Sequence, residues 1–193
     1  MQTILVPTDG STNAEAALDV AMDLAEKHEG QIRLLHVLLR DKEPFELLRL
    51  PALAAAGDDV AVALRALAKA PMTPRSADDI LAHPNQPERP VPEPLLRRIA
   101  THVLDQAARR AESRGLAAEV LAIADGGAAA AIVATARREG IETIVMGTRG
   151  LRQIESVAFG SVSQEICLTA PCTCIAVHPG PTPATRPLAQ SKA

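Results

Sequence analysis

The apolar positions change period several times along the start of the chain. Thr3 to Pro7 (Thr-Ile-Leu-Val-Pro) is a short run rich in β-branched residues, the pattern of a strand buried on both faces. Asp9-Gly10-Ser11 breaks it. Thr12 with Glu15 then reads as a capping box, opening a helix whose Ala14, Ala17, Leu18, Ala21, Met22 and Ala25 share one face until Gly30 stops it. Ile32 to Leu38 is a second apolar run. A helix between two such strands makes a βαβ crossover, which predicts a parallel sheet.

Regularity lapses over residues 40–93. Asp58 to Lys69 predicts a short amphipathic helix with Val62, Leu64 and Leu67 inward, but Pro71, Pro74, Pro84, Pro87, Pro90, Pro92 and Pro94 make the stretch after it unfit for helix or central strand. The segment is expected to be an insertion, partly ordered at best, with a functional or mobile role. Helical spacing returns at Leu96, Ile99, Val103, Ala107 and Ala111 and closes near Arg114-Gly115. Strand Ala118 to Ile123, helix Ala128 to Arg138, strand Ile141 to Met146, helix Ser161 to Thr169 and strand Cys172 to Val177 follow. The tail, residues 179–193, is expected to be disordered. The expected architecture is α/β, a doubly wound five-stranded parallel sheet with helices on both faces.

Composition narrows the function classes. With 193 residues and 47% apolar content there is room for one domain, residues 1–178, and its appended segments. Two Phe and neither Trp nor Tyr leave no aromatic platform for stacking bases. The 20 basic residues against 23 acidic ones are scattered, so nucleic acid is not an expected partner. One small anion can still be held by backbone N–H groups at a helix N-terminus. No charged leader precedes Thr3 and no long apolar run occurs, so neither a secretory signal nor a membrane span is expected, and the cytoplasm is the expected compartment. Cys167, Cys172 and Cys174 suit reduced thiols better than a disulfide framework; a metal or redox pair at Cys172 and Cys174 is the alternative to buried small hydrophobes.

The chemistry concentrates between the fourth strand and the last helix. Gly147-Thr-Arg-Gly150 is followed by nine residues and then Gly160-Ser161. Connections of this type take about 2–6 residues, so the longer one asks for a reason. Gly147 and Gly150 let the backbone turn tightly and approach a ligand, and Gly160, Ser161 and Val162 offer N–H groups where the helix dipole favours negative charge. That is a phosphate cradle. The plainer reading is a glycine-rich turn with Ser161 as N-cap and Gln164 completing a capping box. Asp9 has a plain role available in capping the first helix, and His36 reads as a hydrogen-bonded core residue. Arg149 and Arg152 either reach a phosphate or face solvent.

Val6-Pro-Thr-Asp-Gly-Ser11, Leu35-His-Val37, Ile144-Val-Met-Gly147, Gly147-x2-Gly150-x9-Gly160-Ser161 and Ala170-Pro-Cys172 together resemble the universal stress protein family. The resemblance covers residues 1–39 and about 95–178. It implies the strand order 3-2-1-4-5, with the switch point between the first and fourth strands, and the glycine pattern is similar to that of the ATP-binding branch. It further implies that Pro7, Thr8 and Asp9 line the adenosine end, that Val37 offers its backbone to adenine, and that Met146 and Gly147 lie along the sugar and α-phosphate. Gly150, Gly160, Ser161 and Val162 would hold the phosphates of ATP, with Mg²⁺ on them. The implied function is a nucleotide-dependent regulatory or stress-response factor acting through a protein partner that the sequence does not identify. A slow ATP hydrolase or phosphotransferase and a nucleotide-free dimer remain alternatives; no placed base marks a catalytic residue. The fifth strand, apolar and at a sheet edge in that order, predicts a homodimer in which Ile175 and Val177 are covered.

Overall fold

Five strands, β1 (Thr3–Pro7), β2 (Gln31–Val37), β3 (Ala118–Ala124), β4 (Thr143–Gly147) and β5 (Thr173–Val177), run parallel in the order β3-β2-β1-β4-β5. The chain therefore has the doubly wound α/β sheet expected of it. This computed structural model describes residues 2–54, 59–71, 76–82, 86–151 and 160–178. Helix α1 (Thr12–His28) joins β1 to β2. Between β2 and β3 come α2 (Pro44–Leu47), a 3-10 turn (Pro51–Leu53), α3 (Asp59–Lys69), α4 (Ala77–Ala82) and α5 (Glu93–Glu112). Helix α6 (Ala128–Arg138) leads to β4, and α7 (Ser161–Thr169) to β5.

Alternation along each strand divides the core into two layers. Ile4, Val6, Ile32, Leu34 and Val145 face Ala17, Leu18 and Met22 of α1 and Leu104 of α5. Leu5, Leu35, Val37, Ile144 and Met146 face Ile132 and Val133 of α6 and Ile166 of α7. Because both sheet faces are covered, the inner strands read as unbroken apolar runs. Outside the core, Arg110 of α5 and Arg114, two residues past its end, pair with Asp19, Asp23 and Glu26 of α1, each at 2.7 Å, fixing the two helices side by side. Exposed pairs of this kind contribute about 0.2–1 kcal/mol each, so they align the helices more than they stabilise them.

Local chemistry departs from expectation at three helix ends. Ser11, not Thr12, caps α1: its Oγ accepts the Ala14 N–H at 3.3 Å, and Thr12 is already helical. At the other end the left-handed residue is Glu29, with φ of 51°, one position before Gly30. Helix α5 starts at Glu93 with Pro94 in its first turn, where a missing N–H costs nothing because that donor has no helical partner.

The 40–93 segment contributes a third apolar cluster that the sequence reading did not foresee. Leu47, Leu50, Leu53, Val60, Leu64 and Val91 are buried against Leu96, Ile99 and Val103 of α5. The inward face of α3 is Val60, Ala61 and Leu64, while Val62 is exposed. Prolines did not prevent helix at Ala77–Ala82, a run that contains none. The start of the segment is pinned by Arg40, which binds Asp125 after β3 at 2.6 Å and Glu93 of α5 at 2.7 Å; this guanidinium holds the Asp125 carboxyl down to about 2. The expected disordered tail, 179–193, lies outside the described residues.

Gly10 connects this cluster to the sheet. Its φ is +77°, and a Cβ built on it would lie 2.7 Å from Val103 Cγ2 and 3.3 Å from Leu50 Cδ2. Gly10→Ala is therefore expected to lose about 2–4 kcal/mol of stability, combining left-handed strain with overpacking. Urea unfolding measures it. Adding Val103→Ala should relieve the steric part and leave the backbone part.

Candidate functional site

The site begins with a missing hydrogen-bond donor. Thr8 N–H donates to Leu35 O at 2.9 Å and Gln2 O accepts from Gln31, so even residues of this first strand face β2; Thr3 O accepts from Glu142, so odd residues face β4. Residue 7 should then donate to β4, and Pro7 has no N–H. The β1–β4 register stops at Ile4↔Thr143 and Leu5↔Ile144, whereas β1 stays paired with β2 to Pro7↔Leu35 and β4 with β5 to Gly147↔Val177. Past Leu5 the two central strands part, opening a crevice at their carboxyl ends, the place where open α/β sheets take ligands.

The turn leaving β1 is built from its own polar groups. Thr8 Oγ1 accepts the Gly10 N–H at 3.2 Å, and Asp9 Oδ1 accepts the Ser11 N–H at 3.0 Å. In a continued ladder the Gly10 amide would reach the Val37 carbonyl; it turns back to Thr8 instead, ending the β1–β2 ladder there. Thr8 O accepts from His36 Nδ1 at 2.9 Å. His36 is the hydrogen-bonded core histidine expected of it, 1% exposed, but its Nε2 has no hydrogen-bond partner among the described residues.

Across the crevice, the described ends of the β4–α7 connection meet. Thr148 O accepts the Gly160 N–H at 2.7 Å and the Ser163 hydroxyl at 2.9 Å, seating the start of α7 on the end of β4. Gly160 is the N-cap and Ser161 the first helical residue, so Ser161 does not cap; the nearby side chain bonding to backbone is Ser163, whose Oγ also reaches Gly160 O. The Gly160 amide is thus already engaged. Ser161 and Val162 carry the N–H groups that a first helical turn leaves unpaired, and both residues are exposed.

The three glycines serve approach rather than turning: none has positive φ. A Cβ on Gly147 would lie 3.0 Å from Asn13 C, Cβ and O, so this glycine seats the first turn of α1 against β4. A Cβ on Gly150 would lie 2.7 Å from Asp9 Oδ2, which brings Asp9 and Gly150 together across the crevice. A Cβ on Gly160 would meet Thr148 O at 3.3 Å. Asn13, which sequence reasoning passed over, is 2% exposed and donates from Nδ2 to Arg149 O at 3.2 Å. Its only sequence signal is its place just after the Ser11 cap. Thr148 was missed as well; it is buried, and its Oγ1 has no hydrogen-bond partner among the described residues. The side chains of Val37 and Met146 are buried in the α6 layer, and the Met146 backbone lies in the β4–β5 ladder. Arg152 lies outside the described residues.

A crevice at a strand-order reversal, with small residues beside it and a helix N-terminus close by, marks an open, doubly wound α/β domain. The chain belongs to the universal stress protein family, whose family model matches residues 1–178. It is 25% identical over 175 residues to the universal stress protein YxiE of Bacillus subtilis (strain 168), covering 91% of this chain and 97% of YxiE. In fold it is similar to an Arabidopsis thaliana universal stress protein family protein solved with AMP bound, at 15% identity and a TM-score of 0.55 over 94% of each chain. It is likewise similar to the Archaeoglobus fulgidus universal stress protein solved in complex with dAMP, at 18% identity and a TM-score of 0.52 over 91% of this chain and 97% of that one. At those identities the likeness establishes the fold alone. Among the described residues no helix is long and apolar enough to cross a membrane.

Burial pushes the His36 imidazole below its ordinary value, against the opposing pull of the Thr8 carbonyl and the Asp9 charge. The unfolded chain takes up a proton near pH 6.5 that the folded chain refuses, so stability should fall as pH drops below about 6.5, at up to about 1.4 kcal/mol per pH unit for one proton. Urea unfolding between pH 8 and pH 5 tests this. His36→Gln should flatten the profile over that window, and an unchanged slope would assign it to other groups.

Proposed function

We propose that this protein binds ATP, with Mg²⁺ on the phosphates, in the crevice between β1 and β4, and works as a nucleotide-dependent regulatory or stress-response factor in the cytoplasm. The observation that carries the reading is the parting of β1 and β4 beside a helix start held in place by Thr148. Asp9 and the Val37 backbone suit the nucleoside end: a carboxylate accepts from ribose hydroxyls or the adenine amino group, and a main-chain edge pairs with a base without an aromatic platform. Pro7, Thr8, Met146 and Gly147 would line the middle, and Gly150, Ser161 and Val162 would face the phosphates. Gly160 enters as the residue whose small size lets the chain pass Thr148, since its amide is engaged. Among the described residues no group of three or more His, Cys, Asp or Glu is placed to hold a metal, so Mg²⁺ would rest on phosphate and water oxygens. Relatives of this fold solved with AMP and dAMP support an adenine nucleotide. The free thiols support a reducing compartment. A nucleotide-free protein is the second reading, favoured by the packing that already accounts for Gly147 and Gly150 against Asn13 and Asp9.

ATP at about a hundred times Kd should raise Tm by about 5–10 °C, equivalent to roughly 2.7 kcal/mol. Ser161→Pro separates the readings. Proline is tolerated at the first helical position but removes one phosphate-facing N–H, so the fold should survive while the shift with ATP shrinks more than that with adenosine. No shift with any adenine nucleotide would favour the nucleotide-free protein.

We also propose a homodimer through β5. Ile175 and Val177 prove to be half-buried against the α1 layer, so the free feature of this edge is its backbone and not those side chains. Thr173 N–H and Val177 O bond toward β4, which turns the amides and carbonyls of Cys174 and Ala176 outward. The other edge, β3, carries the exposed charge of Glu119, which discourages pairing; β5 carries none. Sedimentation equilibrium at micromolar concentration should give twice 20.3 kDa. Ala176→Pro, which removes an outward N–H and leaves the β4 ladder intact, should give a monomer; a dimer that survives it would place the interface elsewhere.

A further inference from the structure

All three cysteines of the chain lie where α7 returns to β5. Cys167, near the end of α7, is exposed, while Cys172 and Cys174 are half-buried against the layer that contains Ile166. Cys174 Sγ lies 4.0 Å from the Ile166 carbonyl oxygen and 3.7 Å from the Cys172 carbonyl oxygen. The Ile166 carbonyl belongs to the planar unit that ends at Cys167 Cα, about 2.8 Å further on, so the Cys174 sulfur is within about 7 Å of that Cα. The Cys167 sulfur is near enough to help push the Cys174 thiol up, after burial itself. Cys172, in the bend that precedes β5, is half-buried beside Cys174 and is the competing partner that the test separates from Cys167.

We propose that Cys167 and Cys174 form a dithiol oxidisable by hydrogen peroxide, closing an intramolecular disulfide that ties the end of α7 to β5. The exposed Cys167 is the entry point. Its thiolate sulfur attacks one peroxide oxygen, the O–O bond breaks, and hydroxide leaves with a proton as water, giving a sulfenic acid. The Cys174 sulfur then displaces hydroxide from the Cys167 sulfur; the S–S bond forms, the S–O bond breaks, and the Cys174 proton leaves in the second water. Two thiols are oxidised by two electrons and one peroxide is reduced to two waters. Burial pushes the Cys174 thiol up to about 11, which keeps it from meeting peroxide first and suits it to the resolving step at close range. The bond would clasp the helix whose opposite end carries Ser161 and Val162, but it requires no bound nucleotide.

The test is to treat the reduced full-length protein with hydrogen peroxide at neutral pH, then follow intact mass, denatured thiol count and a non-reducing peptide map. The expected product has lost about 2 Da, keeps one of its three thiols, and links Cys167 to Cys174. Cys172→Ser should still lose about 2 Da, and Cys167→Ser should not. A bond that includes Cys172, a disulfide between two chains, or oxygen added to Cys167 without a disulfide would each overturn the proposal. The wild-type map decides even if a variant folds poorly.

Discussion

One absent amide organises the carboxyl end of this sheet. A parallel ladder continues as long as each strand supplies its alternate N–H groups, and Pro7 withholds the one that β4 needs. The remaining ladders do not stop there: β1 holds β2 through Pro7↔Leu35, and β4 holds β5 through Gly147↔Val177. The sheet therefore parts along a single seam. That seam coincides with the reversal of strand order, so the helices that follow β1 and β4 leave toward opposite faces and do not cover it. A residue with an N–H at position 7 would let the ladder run on and narrow the opening without any change to the layers beneath.

The connection between β2 and β3 bears on the same opening. Leu50 and Val103 fill the space beside Gly10, Leu38 and Leu47 belong to the same cluster, and Leu151, one residue past Gly150, packs partly against it. The segment thus touches both the turn after β1 and the loop after β4. Its hydrophobic contacts are non-directional, whereas Arg40 fixes its start by charge-assisted bonds to Asp125 and Glu93. Glu43 adds a second fixed point, accepting the Glu88 N–H at 2.6 Å and so joining the two ends of the segment. A long proline-rich connection is held in this way by a small core of its own and a few bonds at its ends.

The layers of the fold were legible because burial on both faces writes itself as apolar runs and amphipathic spacing, which need no knowledge of what lies opposite. All five strands and the four crossover helices could be read by that rule. Contacts distant in sequence could not. Gly147 reads as a ligand glycine until Asn13 is found against it, and Gly10 reads as a simple breaker until Val103 is found beside it. Val60 and Val62 are indistinguishable by type, and only the position of α5 selects Val60 for the core. The 40–93 leucines were read through the prolines around them, yet proline forbids helix only where a donor is needed. The candidate site was legible as a place, at a strand end beside a glycine-flanked helix start. Which of its N–H groups were already engaged was not, since that depends on Thr148 accepting twice.

The polar groups around the crevice divide into those that build it and those left over. Thr8, Asp9, Asn13 and Ser163 each satisfy a backbone group that the interrupted ladder or a helix end would otherwise leave bare. Among the described residues, two buried atoms there have no hydrogen-bond partner, His36 Nε2 and Thr148 Oγ1. Folded proteins rarely tolerate such atoms, and leaving one unpaired costs about 1–3 kcal/mol. Both belong to residues at the carboxyl ends of strands neighbouring β1, where the sheet has already given up hydrogen bonds at Pro7. Local pattern and packing agree through both layers, while polar satisfaction gives way beside the seam, at the same end of the sheet that loses a ladder bond at Pro7.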